Sequence, residues 1–409
     1  HYARIYDTVV DVCKQSEARR GACAAYLPLE HPDIMEFLDI GTEGNPIQNL
    51  QYGVTVTNNW MEQMRAGDKD KRKVWAKVIQ RRSEFGFPYI MFKDNSNDNS
   101  PYKEIGMEIT ASNLCSEIQL PTDTYNSFVC CLGSINLLHW DEILKTDAIE
   151  TYVFFLNAVM DEFIKKAEVK AGLKRAYNFA KQHRAIGLGV LGYHSLFQSK
   201  LIEFESLAAK QLNNHIFKHL KEVSDNASRW LYEHRGYRSL REGFANTTLM
   251  AIAPTKSSSF IHGAVSMGIE PIKSNYFIKD LAKSKTVYKN PFLECELEKY
   301  GLNNKKTWDS ILKKDGSVQH LDFPTKAVFK SFVEITPKEL VLQAAQRQKY
   351  IDQSQSLNLM IHPSVPAKDI NALYIYAYEE GVKTLYYQFS QNSAQAFSRN
   401  ILECASCEG

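Results

Sequence analysis

The chain has 409 residues, 44% of them hydrophobic and 23% charged, with a net charge of +2. That is enough apolar material for two domains or one large barrel, and the interleaved charges give no electrostatic footing for nucleic acid as the main partner. No apolar run approaches the roughly 20 residues of a membrane span, and no signal-peptide pattern is present.

In chain order, Ala22 to Leu27 reads as a strand and Pro32 to Leu38 as a helix entered through proline. Tyr52 to Thr57 alternates like a strand, and Asn59 to Arg65 turns helical. Val74, Trp75, Val78 and Ile79 recur at helical spacing across Lys71 to Arg82. Pro88 to Phe92 is a short strand, and the polar run Asp94 to Ser100 reads as a loop. Long helical patterns cover Asp141 to Val169 and Glu203 to His234. Thr248 to Ala253 is an apolar strand. Lys338 to Tyr350 reads as a helix and Ser356 to Ile361 as a strand. Pro366 to Glu380 is a helix closed by Gly381, and Val382 to Gln388 is a strand. Residues 390–409 lack an apolar period and read as a mobile tail. Repeated strand–helix units imply an α/β fold, barrel or sheet.

Eight cysteines, sparse and unevenly placed, fit a reducing compartment with a few active thiols better than a disulfide scaffold. Gly187-Leu188-Gly189-Val190-Leu191-Gly192 matches G-x-G-x-x-G. A dinucleotide site needs a hydrophobic strand before it and an acidic residue about 20 positions on. Here Leu173 to Arg184 is basic and helix-like, so the glycines are assigned to close packing.

The run Asn113-Leu114-Cys115-Ser116-Glu117 stands out. In an extended segment residues i, i+2 and i+4 share a face, which would set an amide, a thiol and a carboxylate side by side. A carboxylate can take a proton from a hydroxyl, and a cysteine can act as nucleophile or, as a thiyl radical, abstract hydrogen. An ordinary strand with a buried cysteine is the competing reading. Other segments of note are Ala253-Pro254-Thr255-Lys256-Ser257-Ser258-Ser259, Gly268-Ile269-Glu270-Pro271, Lys383-Thr384-Leu385-Tyr386-Tyr387-Gln388 and Cys404-Ala405-Ser406-Cys407.

This ordered set resembles the catalytic (large) subunit of class I ribonucleotide reductase, from about Tyr2 to the C-terminus. The resemblance implies the ten-stranded α/β barrel of that family, with this chain supplying its C-terminal part in residues 1–389 and a redox-active tail in 390–409. It implies a ribonucleoside-diphosphate reductase working by thiyl-radical chemistry. Cys115 is then the thiyl radical, Glu117 the base for the 3′-OH and Asn113 the residue that orients the reacting groups. Cys130 matches one member of the redox pair, and Cys131 is a packing residue because a vicinal disulfide would be strained. Tyr386 and Tyr387 match the tyrosines that end the radical relay, which separates class I from cobalamin-dependent and glycyl-radical relatives.

By the same resemblance Cys404 and Cys407 reduce the active-site disulfide and pass it to thioredoxin or glutaredoxin. A zinc half-site is the alternative, but no second Cys/His pair completes it. Thr255, Lys256, Ser257 and Ser258 would contact the substrate phosphates at a helix start; Lys256 stands where some relatives carry an acidic residue. Gln15, Arg19 and Gly21 fall in a segment resembling the specificity loop that reports a bound ATP or deoxynucleotide effector, although relatives have Gly-Gly where this chain has Ser16-Glu17.

The resemblance implies no metal or cofactor bound by this chain, a radical supplied by a metal-containing small subunit, a cytoplasmic setting, and no nucleic-acid or membrane partner. The family's N-terminal regulatory cone, first barrel strands and second redox cysteine have no counterpart in the sequence. The expectation is therefore a split or cleaved large subunit that needs its N-terminal part as a separate chain. Two other classes stand beside it: a non-catalytic half that binds the small subunit, and a different thiol oxidoreductase using Cys404 and Cys407.

Overall fold

The structure, a computed structural model, describes residues 2–13, 21–281 and 284–390. Its strands, in chain order, are β1 (Ala24–Pro28), β2 (Gln51–Val56), β3 (Tyr89–Phe92), β4 (Leu132–Asn136), β5 (Gly187–Leu191), β6 (Tyr276–Leu281), β7 (Ser284–Lys289), β8 (Leu359–Met360), β9 (Thr384–Leu385) and β10 (Gln388–Phe389). β1, β2 and β3 run parallel, and β3 meets β9 antiparallel. β10 lies parallel to β8, Ile252 bridges Gln355, Met250 bridges Leu188, and β5 runs parallel to β4. These pairings form one continuous run: β1, β2, β3, the 384–389 segment, the 355–360 segment, 250–252, β5 and β4.

The run consists of two parallel sets that face each other antiparallel at β3 and β9. Every residue of β2, β3 and β5 is buried, as expected where helices cover the outer faces of parallel strands and side chains fill the inner one. The described residues supply eight of the ten strand segments expected of the barrel, and among them no pairing joins β1 to β4. β6 and β7 form a separate hairpin, followed by a satellite core around Leu297, Trp308, Ile311 and Phe329.

Helices connect the strands and follow their caps. Helix Lys69–Phe85 starts where the Asp68 carboxylate accepts the amides of Asp70 and Lys71, and stops at Gly86 in the left-handed conformation. Helix Ala367–Glu379 follows Pro366. The long pattern at 141–169 divides into Trp140–Ile143 and Ala148–Glu168. The stretch Asp94 to Ser100, expected as a loop, contains helix Lys93–Asp98. Its polar side chains are used in cross-links, which hydropathy does not register. Asp94 accepts from the Asn58 amide at 2.6 Å, and Asn95 donates to the carbonyls of Tyr378 and Val382.

The glycines of the G-x-G-x-x-G run pack, as the sequence reading has it. A Cβ on Gly187 would meet Leu132 at 2.5 Å, and one on Gly189 would meet the Ala251 carbonyl at 2.5 Å. They let β5 lie close to its neighbours. β4 and β5, unmarked in the sequence reading, are built on this approach. Residues 248–253 and 356–361, expected as full strands, reduce to the bridges at Met250 and Ile252 and to the two residues of β8.

Candidate active site

The segment Asn113 to Glu117 is a turn, not an extended strand, which corrects the alternation expected of it. The Ser116 amide donates to the Asn113 carbonyl at 3.2 Å, and Ser116 sits at φ 66. A left-handed serine costs about 1 kcal/mol, so surrounding contacts must hold it. The Asn113 side chain closes the turn by accepting from the Ile118 amide at 3.0 Å. Its side-chain oxygen is therefore spent on the loop itself.

Three strands hold the turn from outside. From β1, the Tyr26 hydroxyl donates to the Asn113 carbonyl at 3.2 Å and lies 3.5 Å from Ser116 Oγ. Ser356 Oγ donates to the Cys115 carbonyl at 2.6 Å and approaches Glu117 Oε2 at 3.3 Å. Thr384 Oγ1, at the start of β9, donates to the Ser116 carbonyl at 2.9 Å, and the Ser354 amide to the Glu117 carbonyl at 2.9 Å. Cys115 ends half-buried, and Glu117 is only 2% exposed. A buried carboxylate beside a half-buried thiol, held among these strands, can accept a proton where little water competes for it.

Cys130 precedes β4. Solvent reaches it, yet enough protein surrounds its sulfur to push the thiol up to about 12; burial is the larger cause and the Glu117 carboxylate adds to it. Cys130 and Glu117 thus share one electrostatic neighbourhood. Cys131 lies 3.5 Å from the Leu156 carbonyl, and burial raises its thiol to about 11. Both thiols are protonated at neutral pH.

Tyr386 and Tyr387 lie between β9 and β10, both buried, with ring centroids 4.4 Å apart. A third ring, Tyr89 on β3, packs 4.8 Å from Tyr386 and 5.2 Å from Tyr387, and its hydroxyl donates to Gln51 at 2.7 Å. Burial raises the Tyr89 phenol well above its ordinary range, and Tyr387 and Cys115 add to the shift. The pair is fixed through its backbone. The Tyr386 amide donates to the Leu357 carbonyl, the Tyr387 amide to Asn358 Oδ1 at 3.1 Å, and buried Arg82 to the Tyr386 carbonyl at 2.9 Å.

Thr255 has φ 52 and precedes the short helix Lys256–Ile261; its hydroxyl accepts from the Gly268 amide at 2.8 Å. Ser257 and Ser258 are exposed, and the Lys256 ammonium lies 5.8 Å from the Tyr387 ring centre. A narrow cleft lined by Pro254, Lys256, Gly268, Glu270, Ser356 and Asn358 joins this helix start to the residue that holds the Cys115 loop. Gly21 packs so closely on the end of helix Tyr2–Val12 that a Cβ would meet the Val10 carbonyl at 2.5 Å. Gln15, Arg19, Cys404 and Cys407 lie outside the described residues.

Contacts and short electrostatic links thus bring Cys115, Glu117, Cys130, the tyrosine pair and the 254–258 segment into one neighbourhood. Sequence reasoning missed Tyr26, Tyr89, Arg82, Ser356 and Asn358. Each is an isolated residue in an ordinary element, and no local spacing marks it. Among the described residues no cluster of three or more His, Cys, Asp or Glu side chains is arranged to hold a metal ion, and no helix is long and apolar enough to cross a membrane.

A family model described as the ribonucleotide reductase barrel domain matches residues 1–71, 68–240 and 230–388. The large subunit of ribonucleoside-diphosphate reductase from Invertebrate iridescent virus 3 is 32% identical, the match covering 100% of this chain and 79% of that protein. Its counterpart from Invertebrate iridescent virus 6 is 40% identical over 69% of this chain and 30% of its own length. Among solved structures, the alpha subunit of a class Id ribonucleotide reductase from Actinobacillus ureae superposes with a TM-score of 0.90 at 50% identity, covering 98% of this chain and 75% of that one. These matches establish that the chain belongs to the barrel-domain family of ribonucleotide reductase large subunits.

Proposed function

We infer that the chain is a catalytic-subunit component of a ribonucleoside-diphosphate reductase, converting ribonucleotides to deoxyribonucleotides by radical chemistry. The observation that carries this reading is the turn holding half-buried Cys115 and buried Glu117 together, tied by Ser356, Ser354 and Thr384 to the strands around the tyrosine pair.

In the proposed reaction the oxidising equivalent reaches Cys115 through Tyr387 and Tyr386 from a metal-containing small subunit. The Cys115 thiyl takes the C3′ hydrogen atom of the substrate and becomes a thiol. Glu117 takes the 3′-OH proton, and the 2′-OH leaves as water with the proton of the Cys130 thiol. The Cys130 thiolate and a second thiol then supply two electrons, with the second thiol's hydrogen going to C2′, and become a disulfide; Glu117 returns its proton to the 3′ oxygen, and Cys115 returns its hydrogen atom to C3′. Protonated Cys130 suits this step, because a thiol can deliver both hydrogen and electrons. Asn113 acts by shaping the turn, given its bond to the Ile118 amide.

The helix start at Thr255, Lys256, Ser257 and Ser258 is proposed to hold the diphosphate, with the Lys256 ammonium adding positive charge. Residues 1–389 form the barrel portion in this reading, and 390–409 the redox tail, whose Cys404 and Cys407 hand the disulfide to thioredoxin or glutaredoxin. Gln15, Arg19 and Gly21 belong to the effector-sensing loop for ATP or deoxynucleotides. A cytoplasmic setting completes the proposal.

Replacing Cys115 by Ser tests the core of it. Nucleoside-diphosphate reduction should disappear while Cys404 and Cys407 still exchange with a small disulfide at the parent rate. Retained reduction, or loss of both activities together, refutes the assignment.

A further inference from the structure

We propose that Tyr26 and Gly53 form a positioning pair that sets where the Cys115 loop stands against the strands that hold it. Tyr26 is a positioning residue here and touches no reacting atom; the inference rests on the reading of Cys115 as the hydrogen-abstracting thiol.

The register of β1 and β2 places Tyr26 directly across from Gly53. A Cβ at Gly53 would lie 2.3 Å from Cε1 of the Tyr26 ring and 2.8 Å from two more ring carbons. The ring therefore lies flat over the glycine, and any side chain at position 53 would lift it off. Gly53 has no positive φ, so turn geometry does not account for it. From this berth the Tyr26 hydroxyl reaches the Asn113 carbonyl and Ser116 Oγ. Burial raises its pKa, so the phenol stays protonated and able to donate at neutral pH.

The tie opposes two others. Ser356 and Thr384 hold the carbonyls of Cys115 and Ser116 from the strands at 355–360 and 384–389, while Tyr26 holds the start of the same turn from β1. A loop carrying a left-handed serine relaxes when an anchor is lost. Hydrogen-atom abstraction tolerates a displacement of only about 0.5 Å before rate is lost. The pair thereby sets the distance from the sulfur to the substrate carbon.

The test uses the active reductase holoenzyme, with kcat, KM and the isotope effect on a 3′-deuterated ribonucleoside diphosphate measured together. Tyr26→Phe keeps the ring and removes one hydrogen bond; kcat should fall about tenfold with KM unchanged and a larger isotope effect, because abstraction becomes slower. Gly53→Ala should give the same pattern by displacing the ring. A loss of folded protein alone would lower kcat and leave the isotope effect where it was. Wild-type kcat and isotope effect in Tyr26→Phe, or a kcat loss with an unchanged isotope effect, overturns the proposal. Should Gly53→Ala fail to fold, Tyr26→Phe decides alone. A parent enzyme that breaks no 3′ carbon–hydrogen bond refutes the functional reading itself, and the positioning role falls with it.

Discussion

Lys383 is fully buried directly before Thr384, one of the residues that hold the Cys115 turn. Its ammonium donates to the carbonyls of Asp352 at 2.7 Å and Asn99 at 3.0 Å, while the Asp352 carboxylate is taken up by the Leu249 amide and by Lys221. Burial pushes the Lys383 amine down to about 7, against a partial upward pull from Asp352. An unfolded lysine titrates near 10.4. Between those values the unfolded chain binds more protons, so stability rises with pH. The destabilisation is complete below about pH 7 and lifts as pH rises toward 10.4. Above about pH 8.5 the raised thiols of Cys130 and Cys131 act in the opposite sense, because unfolded cysteines lose protons that folded ones keep. In the window from pH 7 to 8.5 the lysine therefore dominates, with a small contribution of the same sign from buried His183 and His194, and over it the fold should gain about 2 kcal/mol. Lys383→Met removes this slope and takes the donor from the buried Asp352 carbonyl and the part-buried Asn99 carbonyl, at a cost of about 1–3 kcal/mol. The variant should be close to the parent at pH 7 and clearly weaker at pH 8.5. Urea unfolding across the window measures both. A parent whose stability is flat or falls, or a variant that keeps the parent's slope, refutes the reasoning.

Ser356→Ala removes the hydroxyl between the Cys115 carbonyl and Glu117; it should lower kcat roughly tenfold and stability by about 1 kcal/mol, read from steady-state turnover and urea unfolding, and an unchanged kcat would show that the turn needs no anchor there. Glu117→Gln removes a negative charge that helps hold the Cys130 thiol near 12, so the thiol pKa should fall without returning to its ordinary value, burial being the larger cause; alkylation of Cys130 by iodoacetamide followed against pH reports it, and an unmoved profile would separate the two residues electrostatically.

The reductase resemblance was carried by short local strings, and these needed no tertiary information to be seen. The tyrosine pair, the Cys115–Glu117 spacing and the Thr255–Ser258 segment are each a matter of order along the chain. Helices such as Lys69–Phe85 and Ala367–Glu379 were legible for a similar reason, since their apolar spacing, caps and flanking glycine or proline are local. The polar helix Lys93–Asp98 and the glycine-lined β5 were not, because their stability comes from side-chain cross-links and close strand approach that hydropathy does not encode.

For the site itself, sequence determined which chemistry is present, and tertiary structure decided how it is held. The alternation expected of Asn113, Cys115 and Glu117 gave way to a turn with a left-handed Ser116, stabilised by residues nearly 90 positions upstream and some 240–270 downstream. Tyr26 and Ser356 carry no mark in the sequence, and Thr384 is marked only as a member of the tyrosine-pair segment, because a single hydroxyl becomes an anchor only when strand pairing points it at a carbonyl. Tyr89 likewise joins the tyrosine pair only because β3 runs beside β9. A one-dimensional pattern preserves the identity of reacting groups. The distances between them follow from which strands become neighbours, and that is a property of the folded chain alone.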